Sequence, residues 1–170
     1  SIILNSVPAS IELGIFSIFF AILIGFSLGF LGFKNKGKKG DYFVRVIGIS
    51  TYAIPPFWGA MLAQLIFSVN LRMFPIGGRF PIIHSQPQIT GFLILDSLLD
   101  NNFIYLRDSL YHLALPSLTL GFLLSGIFSR SLRVNLDKSI KSGFVTAALC
   151  RGITPSKIIL NHALPNALLP

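Results

Sequence analysis

The sequence has 170 residues, of which 52% are hydrophobic and 12% charged, and its mean hydropathy is +0.72. A soluble domain could not cover so much apolar side chain with polar surface, so lipid is expected to be the solvent for much of the chain. The net charge of +8 does not indicate nucleic-acid binding, because the basic residues lie beside apolar runs.

Four apolar runs predict membrane-spanning helices. Residues 11–33 carry a single charge, Glu12, and as a helix they would measure about 34 Å, which exceeds a hydrocarbon core of about 30 Å. Residues 43–69 and 110–128 form the second and third runs, and a fourth begins at residues 158–170. We predict an all-α, polytopic transmembrane helical bundle. About three spans and the start of a fourth are expected, as an internal segment of a longer protein.

Proline and glycine residues are expected to affect the shape and packing of the first two apolar runs. Pro55 and Pro56 each remove a backbone donor inside the second run and predict a kink. That kink either serves helix packing or lines a translocation path with freed carbonyl groups. On the first run, Gly25, Gly29 and Gly32 follow each other at spacings of four and three, which predicts close helix packing.

Two of the three connectors are basic. Residues 34–45 and 129–157 together hold 11 of the 14 Lys and Arg residues, and alternate connectors must lie on the same side of the membrane. The positive-inside rule therefore places both in the cytoplasm, as in a multi-pass protein of the cytoplasmic (inner) membrane. Residues 70–108 are expected outside, folded back onto the bundle because of their apolar stretches.

The cytoplasmic segment from residue 129 to residue 160 is patterned. Leu132, Leu136 and Ile140 fall on one arc of a helical wheel, which predicts a helix lying on the membrane surface. Residues 144–151 predict a compact helix that Gly152 ends with a left-handed cap. Thr154 followed by a proline predicts the start of another helix.

The sequence gives only weak support for two other kinds of site, a phosphate-binding loop and a metal site. Residues 32–39 match a phosphate-binding loop, but Lys39 replaces the hydroxyl that must hold Mg²⁺, and a spanning helix precedes the loop. Any ATP is therefore expected to be hydrolysed on another chain. His84, His112 and His162 are far apart in sequence and predict no metal site. Cys150 is the single cysteine and has no internal disulfide partner.

A family resemblance follows from the last third of the chain. Thr146-Ala147-Ala148, Gly152 three residues later, and His162-Ala163-Leu164-Pro165 after nine more resemble the EAA loop of binding-protein-dependent ABC transporter permeases. The chain departs from that pattern at Thr146, where the family has Glu, and at His162, where it has Ile. Residues 54–58, 90–99, 112–118 and 161–170 are similar to the dipeptide, oligopeptide and nickel branch.

The resemblance implies a single, incomplete permease domain over residues 1–170, of the type I importer fold, that is not itself an enzyme. It implies no cofactor on this chain, since ATP and Mg²⁺ would bind two separate ATPase subunits. A second permease subunit, an extracytoplasmic solute-binding protein and membrane lipid are the other expected partners, and nucleic acid is not. The resemblance also assigns ATPase coupling to Thr146, Ala147, Ala148, Gly152, His162, Leu164 and Pro165.

Other functional classes remain open at this point. The main alternative is a secondary transporter or channel that ATP does not drive, in which broken helices and ion sites at mid-membrane would be expected. A membrane-embedded enzyme is the third candidate. Against both, the spanning runs lack clustered carboxylates or histidines, whereas the cytoplasmic segment is patterned.

Overall fold

A computed structural model describes residues 2–79 and 90–168, and every regular element in these two ranges is helical. The elements are α1 (Ile2–Lys34), α2 (Lys39–Ala53), α3 (Pro56–Ala63) with a π-helical continuation (Gln64–Asn70), α4 (Leu93–Leu99), α5 (Phe103–Ile140), α6 (Gly143–Cys150), α7 (Pro155–Ile158) with a π-helical continuation (Ile159–Ala163), and α8 (Leu164–Leu168). The predicted all-α class is confirmed.

Two of these helices are long and apolar enough to cross a membrane. They are Ser6–Lys34 within α1 and the whole of α5, Phe103–Ile140. A third crossing is present if α2 and the helix Pro56–Asn70 together form one broken span. The chain is therefore a polytopic helical membrane protein, as its sequence predicts.

The second apolar run is two helices where one kinked helix was predicted. α2 ends at Ala53, and the helix that follows begins at Pro56 with a change of direction of 107°. Pro55 is extended, with φ −60° and ψ 133°, and Pro56 occupies the first helical position. Because neither proline can donate to a preceding carbonyl, the helix is interrupted at the pair.

The separate surface-lying helix predicted after residue 128 is wrong. Residues 129–140 continue α5 without a break, and the whole helix of 38 residues is about 57 Å long. This stretch contains no glycine or proline that would end a helix. Its apolar face is covered by protein, because Leu132 and Leu136 are buried against Ala163 and Ala167.

The described residues divide into two compact units. One comprises residues 1–21 and 54–124, and the other comprises residues 22–53 and 125–170. The second unit contains the basic turn between α1 and α2, the second part of α5 and all of α6, α7 and α8. The single permease domain predicted for the chain stays a prediction.

Candidate functional site

A helical hairpin follows α5, built from α6, a tight turn at Gly152 and α7. Gly152 has φ +76°, a left-handed conformation that glycine adopts without the penalty of a Cβ. The Gly152 amide donates to the Leu149 carbonyl at 2.9 Å, and the Ile153 amide donates to the Ala148 carbonyl at 3.2 Å. These two bonds form a Schellman motif, which satisfies the last carbonyls of a helix. The predicted glycine-terminated helix is confirmed.

The hairpin has a small core of its own. Val145 and Ala148 on α6 are buried against Ile158 on α7, and Ile153 packs against the same cluster. Ile153 directly follows the left-handed glycine, where a Schellman motif usually brings an apolar side chain back onto the helix. The turn therefore joins α6 and α7 through both hydrogen bonds and apolar packing.

The helical segment after the hairpin is fixed to α5. Leu132 and Leu136 of α5 form a buried cluster with Ala163 and Ala167, and Leu164 packs against it. Two side chains of α5 add hydrogen bonds to the backbone of this segment: Asn135 Nδ2 donates to the Ala167 carbonyl at 3.2 Å, and Ser139 Oγ donates to the Ala163 carbonyl at 3.1 Å. Small residues at 163 and 167 let the backbone approach α5 closely enough for these bonds.

The residues that the resemblance assigns to coupling divide into two groups. Ala148 is buried inside the hairpin, and Leu164 packs on the α5 cluster. In contrast, Thr146, Ala147, Gly152 and Pro165 are exposed. The side chain of His162 lies outside the part of the chain that the structure describes. The motif thus contains two kinds of residue. Some are buried in the packing of the hairpin and of the segment after it, and others are exposed where a partner could contact them.

Three apolar side chains close to the motif in sequence are exposed as well. Phe144 is 41% exposed, Leu149 is 50% exposed and Leu160 is 51% exposed. These three residues, together with the exposed Thr146 and Ala147, are called the hairpin face below; four of the five lie on α6, and Leu160 lies in the π-helical continuation of α7. Exposed apolar side chains on a segment too polar to cross the membrane are typical of a protein interface.

Charge pairs connect the basic turn after α1 to α5 inside the second unit. The Asp41 carboxylate is buried and accepts hydrogen bonds from Arg133, from Arg45 at 3.1 Å and from the Gly37 amide at 3.2 Å. Lys36 and Asp137 form a second pair at 2.7 Å between Nζ and Oδ1. Sequence reasoning missed these partners, although Asp41 is the only acidic residue among the basic residues of this turn.

The predicted close packing at the α1 glycines is confirmed in the second unit. A Cβ on Gly25 would lie 2.6 Å from the Cβ of Phe128, and one on Gly29 would lie 3.0 Å from the Ser129 carbonyl oxygen. Gly32 is similarly close to a methyl group of Val44, at 3.0 Å. α1 is therefore in backbone contact with the same part of α5 that carries the hairpin.

The proline bend lies beside an apolar cavity of about 360 Å³ in the first unit. Ile54, Trp58 and Gly59 line it from the bend, and Phe122 and Leu123 line it from α5. The Gly59 amide donates to the Pro55 carbonyl at 3.0 Å, so that carbonyl is satisfied by the next helix. A role for Pro55 and Pro56 in a translocation path stays a prediction.

Glu12 is largely buried, with 8% of the residue exposed. Its carboxylate accepts hydrogen bonds from Arg79 Nη2 at 2.9 Å and from the Ile94 amide at 3.0 Å. A cavity of about 160 Å³ adjoins the pair; its lining is mostly apolar and also includes Ser109 and His112. The pairing offsets the cost of a carboxylate inside the first unit, and residue spacing gave no signal for it.

The one histidine hydrogen bond that the structure describes lies within a single helix. Nδ1 of His112 lies 2.8 Å from the carbonyl oxygen of Asp108, one turn earlier in α5. His84 lies outside the described residues. Nothing in the described contacts of His112 brings a second nitrogen, sulfur or carboxylate ligand to it.

Comparison with known proteins gives matches that cover nearly the whole chain. Residues 5–170 match the family described as "Binding-protein-dependent transport system inner membrane component". The chain is 35% identical over 164 residues to the probable D,D-dipeptide transport system permease protein DdpB of Escherichia coli (strain K12), an alignment that covers 96% of the chain and 48% of that protein.

Two further relatives have similar names. The peptide transport system permease protein SapB of Salmonella typhimurium (strain LT2) is 31% identical over 166 residues, covering 96% of the chain and 52% of SapB. The di/tripeptide transport system permease protein DppB of Pseudomonas aeruginosa (strain UCBPP-PA14) is 29% identical over 163 residues, covering 96% and 48%. The chain spans about half the length of the curated relatives it matches.

Proposed function

The chain belongs to the family of binding-protein-dependent transport system inner membrane components, and from this we propose that the full protein is a permease subunit of an ATP-driven importer. It would translocate dipeptides or oligopeptides, or else nickel, across the cytoplasmic membrane. The names of relatives at 29–35% identity support peptides as the substrate class.

We propose that the hairpin face docks onto an ATPase subunit. The observation that carries this proposal is the exposure of the apolar side chains of Phe144, Leu149 and Leu160 at a hairpin whose interior is closed by its own core and by a Schellman motif. Docking of a short helix into a groove buries apolar side chains at the contact, and burial of one leucine contributes about 1.5–3 kcal/mol. The exposed Thr146, Ala147, Gly152 and Pro165 would lie within this contact.

Motion of the ATPases would reach the spanning helices through the second unit. α5 continues from the membrane directly into the segment that carries the hairpin, and buried packing and two backbone hydrogen bonds hold the segment after the hairpin to it. Asp41 and the α1 glycines in turn join α5 to α2 and α1. A displacement of the hairpin would therefore move three helices together and shift the permease between inward-open and outward-open packing.

The proposed assembly contains a second permease subunit, two ATPase subunits that bind ATP and Mg²⁺, and an extracytoplasmic solute-binding protein. In this arrangement the basic turn after α1 and the hairpin face the cytoplasm, and the connector after α3 faces outward. Substrate would pass between the two permease subunits, with the bend at Pro55 and Pro56 lining part of the path. No catalytic residue is assigned to this chain.

The test uses the full-length permease reconstituted with its ATPase subunits and binding protein. Leu149→Gln should lower substrate-stimulated ATP hydrolysis about tenfold, because the docking contact loses roughly 1.5 kcal/mol of apolar burial. Leu71→Gln is the matched control: Leu71 is 55% exposed, close to Leu149 at 50%, but lies in the connector expected outside. Equal effects of the two substitutions would contradict docking at the hairpin face.

A second measurement in the same vesicles tests the energy source. Uptake of a labelled dipeptide should stop when the ATPase subunits are inactivated, because this chain is proposed to hydrolyse no ATP itself. Uptake that persists on a proton or sodium gradient would favour the secondary-transporter alternative instead. Parallel assays with labelled nickel distinguish the two substrate classes.

A further inference from the structure

A third cavity, of about 370 Å³, lies between α2 and the later part of α5 within the second unit. Three arginines line it: Arg45 from α2, and Arg130 and Arg133 from α5. Asp137 and Ser129 also line it, and the rest of the lining is apolar or aromatic, including Ile49 and Tyr52. Nothing in the docking of the hairpin face uses this cavity.

The cavity has an excess of positive charge. The two nearby carboxylates are already engaged, since Asp41 pairs with two of the three arginines and Asp137 pairs with Lys36. Arg130 is exposed and, within the described part of the chain, has no carboxylate partner. Four cations therefore face two carboxylates, and a phosphate group would balance part of the difference. Guanidinium groups bind phosphate oxygens through paired, charge-assisted hydrogen bonds.

An apolar surface begins beside the arginines. On α2, Phe43 is 65% exposed, Val46 is 41% exposed, Ile49 is 69% exposed and Tyr52 is 57% exposed. Exposure of this apolar surface to water is unfavourable, and a free phosphate ion would not cover it. A ligand that carries a phosphate next to long hydrocarbon chains fits both parts, and basic pockets between spanning helices on the cytoplasmic side are typical sites for such head groups.

We propose that this cavity binds the phosphodiester of an anionic phospholipid, whose acyl chains lie along the exposed face of α2. The phosphate contacts Arg130 and the outer edges of Arg45 and Arg133. Because the lipid bridges α2 and the part of α5 that leads to the hairpin, the anionic lipid content of the membrane would modulate coupling. Lipid binding itself requires only that the basic turn lies at a membrane surface, whereas its effect on coupling rests on the proposed transport function.

The test measures lipid retention by the full-length permease purified in detergent with its assembled subunits. The protein is incubated with mixed micelles of phosphatidylglycerol and phosphatidylcholine, and retained lipid is counted by native mass spectrometry. We expect phosphatidylglycerol to be retained in preference. Arg130→Gln should weaken that preference about fivefold, which corresponds to about 1 kcal/mol per basic residue near a membrane surface.

Lys138→Gln provides the matched control. Lys138 is exposed on the same helix and loses the same charge, but it does not line the cavity. A second variant, Val134→Glu, places a carboxylate in the lining and should abolish the preference, so the test does not depend on Arg130 alone. The thermal unfolding midpoint of each variant serves as the check on folding.

Three results would overturn the proposal. Equal retention of the two lipids would mean that the cavity is covered by protein in the assembled complex or has no preference for an anionic head group. An equal effect of Lys138→Gln and Arg130→Gln would mean that general surface charge attracts the lipid. Displacement of phosphatidylglycerol by millimolar inorganic phosphate would assign the arginines to a soluble anion. Because none of these readouts involves ATP hydrolysis, failure here leaves the coupling proposal standing.

Discussion

Substitutions at Gly152 distinguish the effect of backbone strain inside the hairpin from the effect of contact with a partner subunit. Its φ of +76° lies in the left-handed region, and a Cβ built there meets no heavy atom within 4 Å. Among the described residues a Cβ is thus opposed only by backbone strain, which is about 1–2 kcal/mol for most residues and less for Asn. A larger effect on activity is expected only if the substituted side chain meets something outside the described residues, such as a docked subunit.

Three variants and one control use this property. Gly152→Ala adds strain with little bulk, Gly152→Asn adds bulk with little strain, and Gly152→Asp has the shape of Asn with a charge. Gly37→Asn is the matched control, because Gly37 has φ +78° and also has open space around its Cβ, but lies outside the hairpin. Its amide hydrogen bond to Asp41 survives the substitution.

Substrate-stimulated ATP hydrolysis by the assembled complex is the assay, with abundance in the membrane fraction as the check on insertion. Gly152→Asn should lower stimulation at least about tenfold, because a polar group pressed into a docking groove without a partner costs a few kcal/mol. Gly152→Asp should abolish it, and Gly37→Asn should stay within about twofold of the parent, as surface changes of about 0.5 kcal/mol do. Equal stimulation by Gly152→Asn and Gly37→Asn would refute the reasoning.

The remaining predictions concern packing, electrostatics and topology. Gly25→Val should reduce the folded yield of the full-length protein in detergent, because a Cβ at position 25 has no room. Gly14→Val on the same helix should not, since no atom lies within 4 Å of a Cβ at position 14. Asp41→Asn should lower the thermal unfolding midpoint and the stimulation of ATP hydrolysis together, by leaving two arginines without their shared carboxylate; an unchanged midpoint would contradict the role of this pair. In a background without the native cysteine, Lys141→Cys should react in intact cells only with membrane-permeant reagents and Ser85→Cys with impermeant ones, and the reverse pattern would invert the topology.

The sequence predicted those features that local rules control. The helix that ends at Gly152 follows from a small-residue segment and a glycine, and the structure adds the Schellman bonds that explain the spacing of three residues after Ala148. The bend at Pro55 and Pro56 follows equally from missing donors. Close packing at Gly25 and Gly29 needed only the spacing of small residues on one face.

Features that depend on distant partners could not be predicted in this way. Leu132 and Leu136 have the pattern of a helix lying on a membrane, and only the apolar residues some thirty positions later reveal that protein covers them. The partners of Glu12 and Asp41 are 67 and 92 residues away in sequence, at Arg79 and Arg133. Periodicity identifies an apolar face or a buried charge but does not identify what lies against it.

Cross-linking from the hairpin face tests the central claim most directly. Ala147→Cys and Lys38→Cys both place a thiol at an exposed position on the side expected to be cytoplasmic, but only Ala147 belongs to the hairpin face. In a background without the native Cys150, with a short bifunctional reagent and a cysteine scan of the partner ATPase surface, Ala147→Cys should form a covalent product with an ATPase subunit in the assembled complex, and Lys38→Cys should not. Absence of any product from Ala147→Cys, in a complex that still hydrolyses ATP in response to substrate, would contradict the assignment of this hairpin as the coupling element.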